Sequence, residues 1–256
     1  MASRSIARAE GFAFRAWFRV ATIAILLLAC LPLHGAWRLL GLRSPWPRAF
    51  LRGAARAAGA KVTVTGAPLT RDVLYIANHL SWLDILALAG PTGTAFVAKA
   101  DMAPWPVIGW LATLNNSVYV SREARLDAGA QAGLLRAALE THQPLAIFPE
   151  GTTGDGVALL PFRSSLLAAV APPPDSVAIQ PVAIDYGPAA AGIAWTGDES
   201  VGHNAMRVMR RPGRLAVTLN FLDPLPPAGL SDRKAITAQA RAAIAAALGQ
   251  SQGLSS

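Results

Sequence analysis

The longest apolar block lies near the start of the chain. Between Arg19 and Arg38 there are 18 residues without Lys, Arg, Asp or Glu, running from Val20 through Ile25, Leu26, Leu27 and Leu28 to Trp37. A helix that crosses a bilayer needs ~20 apolar residues, and this run is interrupted by Pro32, His34 and Gly35. Arginines stand on both sides, so nothing orients a span. The pattern predicts helices lying in one leaflet, with arginines at the headgroups and Trp17, Trp37 and Trp46 near the interface. A single short span is one alternative, and a cleaved signal is another, because Leu27-Leu28-Ala29-Cys30 resembles a lipoprotein cleavage site.

From Ala60 onward short β-rich runs alternate with helical stretches, the pattern of an α/β domain. Strands are predicted over 61–65, 73–76, 96–98, 117–120, 145–148, 177–184 and 215–221. Helices are predicted over 82–89, 124–141 and 232–248, the last with Ser231 as N-cap, and residues 104–109 read as a Pro/Trp/Gly-rich loop. The expected organisation is a membrane-anchoring helical segment over 1–57, one α/β domain with a central mixed sheet flanked by helices over 58–250, and a disordered tail over 251–256.

Composition sharpens the first part of this picture. Hydrophobic residues make up 53% of the chain and charged residues 15%, an excess that points to apolar surface meeting lipid. The net charge is +8, and nine arginines (Arg4, Arg8, Arg15, Arg19, Arg38, Arg43, Arg48, Arg52 and Arg56) stand against one acid, Glu10, in the first 57 residues. Such a cluster attracts polyanions. Because it flanks the apolar run, anionic membrane lipids are the expected partner and nucleic acid is not. Cys30, the single cysteine, excludes an intrachain disulfide and paired-thiol chemistry, and its place inside the apolar run denies it an aqueous route and a base. No His/Cys spacing suggests a metal site.

The residues that carry chemistry follow the strand over 73–76, in Ala77-Asn78-His79-Leu80-Ser81-Trp82-Leu83-Asp84. On one continuous helix residues five apart point about 140° away from each other, but a turn between strand and helix lets His79 and Asp84 meet. An imidazole acting as a base needs a carboxylate to fix its tautomer and stabilise its protonated form. A plainer reading makes Ser81 and Asp84 a capping box. Capping leaves unexplained why a histidine sits at the carboxyl end of a strand, where open α/β sheets place ligand sites.

Asn78-His79-Leu80-Ser81-Trp82-Leu83-Asp84 resembles the first block, Asn-His-x-Ser-x-x-Asp, of the acyltransferases related to glycerol-phosphate and 1-acylglycerol-phosphate acyltransferases. Val118-Tyr119-Val120-Ser121-Arg122 is similar to their second block, Phe148-Pro149-Glu150-Gly151-Thr152 to the third, and Ile179-Gln180-Pro181-Val182-Ala183 to the fourth. The resemblance implies direct transfer of a fatty acyl group from acyl-CoA or acyl carrier protein to the free hydroxyl of a lysolipid, at the cytoplasmic face of the inner membrane and without a further cofactor. His79 is then the general base and Asp84 its partner. Glu150, Gly151 and Thr152 orient the acceptor together with Asn78 and Ser81, and Arg122 and Lys99 hold its anionic group. Amides near the start of the Ser81 helix are candidate oxyanion donors. The absence of a Gly-x-Ser-x-Gly turn agrees with transfer that forms no acyl-enzyme.

One departure bears on the acceptor. Phosphatidic-acid-forming members commonly have Glu-Gly-Thr-Arg, and this chain has Glu150-Gly151-Thr152-Thr153, with Arg163 as a substitute if its loop folds back. The resemblance favours 1-acyl-sn-glycerol-3-phosphate as acceptor, with lyso-ornithine lipid as the alternative. Outside this class stand a lipid hydrolase, which lacks a recognisable nucleophile, and a non-catalytic membrane-binding protein, which leaves His79, Asp84 and Glu150 unexplained together.

Overall fold

A computed structural model describes residues 2–120, 128–168, 170–197, 199–227, 230 and 232–249. The chain opens with helix α1, Ala2–Leu39, followed by α2, Trp46–Ala57. α1 continues unbroken through Pro32, contrary to the interruption expected from the sequence. Pro32 is exposed, so the N–H it lacks and the carbonyl it displaces need no partner in the protein. α2 runs back along α1, with Trp37 edge-on to Trp46 at 5.7 Å and Leu26 against Gly53. The opposite face of α1 is an apolar stripe in which Phe14, Trp17, Phe18, Ile25 and Leu28 are exposed. That is the surface of a membrane-associated helix, and Ala13–Leu39 is long and apolar enough to cross a membrane.

The domain continues through β1 (Ala60–Gly66), β2 (Val73–Ala77), α3 (Leu83–Thr92), β3 (Ala95–Lys99), α4 (Ile108–Leu114), β4 (Val118–Val120), α5 (Ala128–Glu140) and β5 (Leu145–Ile147). It closes with β6 (Ala178–Asp185), α6 (Ala190–Ile193), α7 (Val201–Arg210), β7 (Leu215–Phe221) and α8 (Arg233–Ala247). Three of these helices are not expected from the sequence. α4 begins inside the stretch 104–109 that reads as a loop, α6 is a single short turn, and α7 occupies a stretch that reads as polar; its buried Asn204 and Val208 lie four apart on one face, and Ser200 caps it by accepting from the His203 amide. The N-cap of α8 is Asp232, which accepts from the Lys234 amide. Ser231, expected in that role, lies outside the described residues, as do the predicted helix start over 124–127 and the tail over 251–256.

The strands form one mixed sheet in the order β1-β7-β6-β2-β5-β3-β4. β6, β2, β5, β3 and β4 are parallel, while β7 runs antiparallel to β6 and parallel to β1. The carboxyl ends of the five parallel strands therefore share one edge, joined there by the amino ends of β1 and β7. Every residue of β2 is buried, as expected of a central strand covered on both faces. Val73, Tyr75 and Ala77 point to the core shared with α2 and α3. Leu74 and Ile76 point to the core shared with α5 and α8. Each fully buried large side chain contributes roughly 1.5–3 kcal/mol, so β2 is firmly held, and the chain leaves it directly into the site.

Candidate active site

Beyond Ala77 the chain turns before α3 begins, and the first residue of the turn ties it to the sheet. The Asn78 amide donates to the Ile184 carbonyl at 3.0 Å and accepts from the Ile184 amide at 2.8 Å. Asn78 is thus a buried clip between the ends of β2 and β6, with its amide fully engaged by backbone. Ser81 is also fully buried, and its hydroxyl accepts from the Leu83 amide at 3.4 Å.

The turn brings the two expected residues together. His79 Nδ1 lies 2.8 Å from Asp84 Oδ2, with Asp84 fully buried and the His79 side chain 17% exposed. The same oxygen accepts from the amides of Leu80 at 2.6 Å and Ser81 at 2.9 Å, while Oδ1 accepts from the Tyr186 hydroxyl at 2.5 Å. Four donors thus surround this carboxyl, three of them on Oδ2. A carboxylate in such a ring only accepts, so His79 Nδ1 carries the proton and Nε2 presents its lone pair. Among the described residues no protein group bonds Nε2. The capping reading holds as well, because Asp84 sits in the first turn of α3 and satisfies amides before it. The amides of Leu80 and Ser81 are consequently spent on Asp84 and do not serve as the oxyanion donors expected at this helix start.

The backbone of His79 is gripped from the loop after β5. Its N–H donates to Glu150 Oε1 at 2.8 Å, and its carbonyl accepts from the Gly154 amide at 2.8 Å. Glu150 is 2% exposed, and burial pushes its carboxyl up to about 8. The amides of His79 and Leu160 oppose that rise, the Asp84 charge adds to it, and Arg241 pulls against it. Gly151 makes the turn in the left-handed region, at φ 72°, which a side chain would strain. The imidazole stacks on Phe148, centroids 4.1 Å apart and planes at 13°, and Phe148 stacks in turn on Phe96. Phe148 thus covers one face of the ring, whose side chain stays 17% exposed.

The remaining predicted residues are spread more widely. Thr152 is exposed beside Gly151, and Lys99 is exposed at the end of β3, on the same sheet edge as His79. Arg122 lies outside the described residues. The loop carrying Arg163 does fold back, its amide donating to the Pro149 carbonyl at 2.8 Å, with its side chain exposed. The Thr153 hydroxyl donates to the Trp195 carbonyl, and the Trp195 amide donates to the Leu80 carbonyl at 2.9 Å. Trp195 thereby bridges the two loops that hold His79. Neither Tyr186 nor Trp195 was singled out in the sequence. Tyr186 lies 102 residues beyond Asp84, and its one local signal is that it closely follows the block around Pro181.

A buried carboxylate that orients an imidazole whose second nitrogen faces outward can remove a proton from a hydroxyl placed there. The described residues contain no group of three or more His, Cys, Asp or Glu that could hold a metal ion.

The family model for acyltransferases matches residues 61–185, from β1 to the end of β6. A lyso-ornithine lipid O-acyltransferase of Rhodobacter capsulatus is 33% identical over 247 residues, covering 91% of this chain and 89% of that protein. The chain belongs to the acyltransferase family. A 1-acyl-sn-glycerol-3-phosphate acyltransferase of Neisseria gonorrhoeae is 36% identical to this acyltransferase over 94 residues, 37% of each chain. The fold is that of the 1-acyl-sn-glycerophosphate acyltransferase PlsC of Thermotoga maritima, with a TM-score of 0.67 over 96% of both chains at 20% identity.

Proposed function

We propose that this acyltransferase transfers a fatty acyl group from acyl-CoA or acyl carrier protein to the free hydroxyl of a lysolipid, with His79 as general base. His79 Nε2 takes the hydroxyl proton as the oxygen attacks the thioester carbonyl. The new ester forms, the carbon–sulfur bond breaks, and the proton passes to the departing thiolate. Asp84 stabilises the imidazolium in between. The observation that carries this reading is the occupied Nδ1 and open Nε2 of one imidazole.

Of the two acceptors raised by the sequence, lyso-ornithine lipid has the better support. Thr153 stands where phosphatidic-acid-forming members have arginine, and its hydroxyl is engaged by the Trp195 carbonyl. The similarity to a protein named for that acceptor extends over 91% of the chain. The folded-back loop of Arg163 favours the second reading, 1-acyl-sn-glycerol-3-phosphate, because an exposed guanidinium near the site can grip phosphate. The protein works at the cytoplasmic face of the inner membrane, where the thioester donors are made. α1 lies in the leaflet plane there, with α2 and α7 packed on one side of it and the apolar stripe on the other.

Competition decides between the acceptors. Purified protein given an acyl thioester and equal amounts of lyso-ornithine lipid and 1-acylglycerol phosphate should form mainly ornithine lipid. Predominant phosphatidic acid would select the second reading, and transfer to neither would remove both.

A further inference from the structure

Tyr186, whose hydroxyl holds Asp84, also lines a cavity of about 230 Å³ on the same sheet edge. Three cations converge there from separate segments: Arg19 from α1, and Arg211 and Arg214 from the loop between α7 and β7. Arg19 is locked in place, donating from Nη1 to the Met209 carbonyl at 3.0 Å and from Nη2 to the Gly213 carbonyl at 2.9 Å. Gly59 makes room for it, since a Cβ at that position would stand 2.7 Å from Arg19 Nη2. Arg211 is oriented by a longer contact, 3.4 Å, to the Gly192 carbonyl.

Carbonyl contacts orient guanidinium groups without cancelling their charge. None of the residues lining the cavity is acidic. Glu199, on the neighbouring loop, is held by Arg207 at 2.7 Å and does not line the cavity. Like charges gathered in a concave site with low-dielectric walls focus a positive potential there, and the guanidinium fork matches phosphate oxygens. Arg19 belongs to the helix that carries the exposed apolar stripe, in which Trp17 and Phe18 are each 64% exposed, so a phosphate seated against Arg19 is held on the membrane-associated element.

We propose that this cavity is a second lipid site, separate from the acceptor site, that binds the phosphate of an anionic membrane phospholipid. It does not depend on which lysolipid is acylated. The chemistry recognised is a phosphate, which free phosphate also offers, so the test separates the two sources.

The full-length protein is floated with phosphatidylcholine vesicles with and without phosphatidylglycerol, and compared with Arg211→Gln/Arg214→Gln. The control, Arg233→Gln/Lys234→Gln at the exposed start of α8, removes the same charge elsewhere. Two cations near an anionic surface account for roughly a thirtyfold change in partitioning. The cavity variant should lose about that much on anionic vesicles, the control far less, and neither should change on neutral vesicles. Arg214→Gln alone, at an exposed position, should lose roughly fivefold and guards against misfolding of the double variant. Equal losses for cavity and control variants would reduce the site to diffuse surface charge. If inorganic phosphate raised the melting temperature of the parent and not of the cavity variant while vesicle partitioning stayed unchanged, free phosphate would be the ligand and the lipid assignment would fail.

Discussion

The β2–α3 turn and the loop after β5 each bury a carboxyl group within one hydrogen bond of His79, and the two groups meet opposite surroundings. Asp84 faces four donors, one of them the imidazole itself. Glu150 is almost as buried but meets only backbone amides, those of His79 and Leu160, and its carboxyl is pushed up to about 8 mainly by burial. The same chemical group therefore serves two ends: one orients a ring for proton transfer, and the other pins the main chain that carries the ring. Donors decide the difference, since burial is shared.

Substitutions at the two carboxyls and their neighbours can break or sharpen this contrast. The largest effect belongs to the imidazole: His79→Ala should cut acyl transfer by ~10⁴-fold while circular dichroism and vesicle binding stay unchanged. Normal turnover in that protein would end the base mechanism. Next comes Asp84→Asn, which places an NH₂ among donors and removes the tautomer control. Its rate should fall ~10²–10⁴-fold and its stability by about 1–3 kcal/mol, read from urea denaturation.

Glu150→Gln should behave differently, because an amide carbonyl still accepts from the His79 N–H. The folded protein holds the Glu150 proton more tightly than the unfolded chain, from 4.5 up to about 8. Its contribution is favourable below 4.5, is lost as pH rises through that window at roughly 1.4 kcal/mol per unit, and is flat above. The Gln variant should lack this loss, so its stability relative to the parent should climb between pH 5 and 8 while most activity remains. A constant difference across that range would show Glu150 to be ionised in the fold.

Tyr186→Phe makes the smallest change, deleting one donor to Asp84 and keeping the ring. It should cost about 1 kcal/mol of stability. With that donor gone Asp84 is held toward the imidazole by one bond fewer, so turnover should fall while KM stays unchanged. Turnover equal to the parent's would make Tyr186 a packing residue only.

Much of this arrangement was legible in the chain. The run over 73–76 announced a buried strand, and the five-residue spacing from His79 to Asp84 required the turn that the structure contains. α7 was missed because its buried face is carried by Asn204 together with Val208 and Met209 within a polar stretch. The unbroken course of α1 was missed because proline was weighted as a breaker, which an exposed proline need not be.

By itself the sequence determined where the strands and three helices of the domain fall, that paired-thiol chemistry is unavailable, and that a histidine and an aspartate meet across one turn. These follow from hydrophobic period and local spacing, which act between near neighbours. Only the tertiary structure decided that Tyr186 closes the ring of donors around Asp84, that Glu150 holds backbone, and that Arg19 meets Arg211 and Arg214 at one cavity. Those partners stand 71 to 102 residues apart for the two carboxyls and 190 or more for Arg19 and its carbonyl contacts. The order of strands in the sheet brings them together, and no local pattern encodes that order.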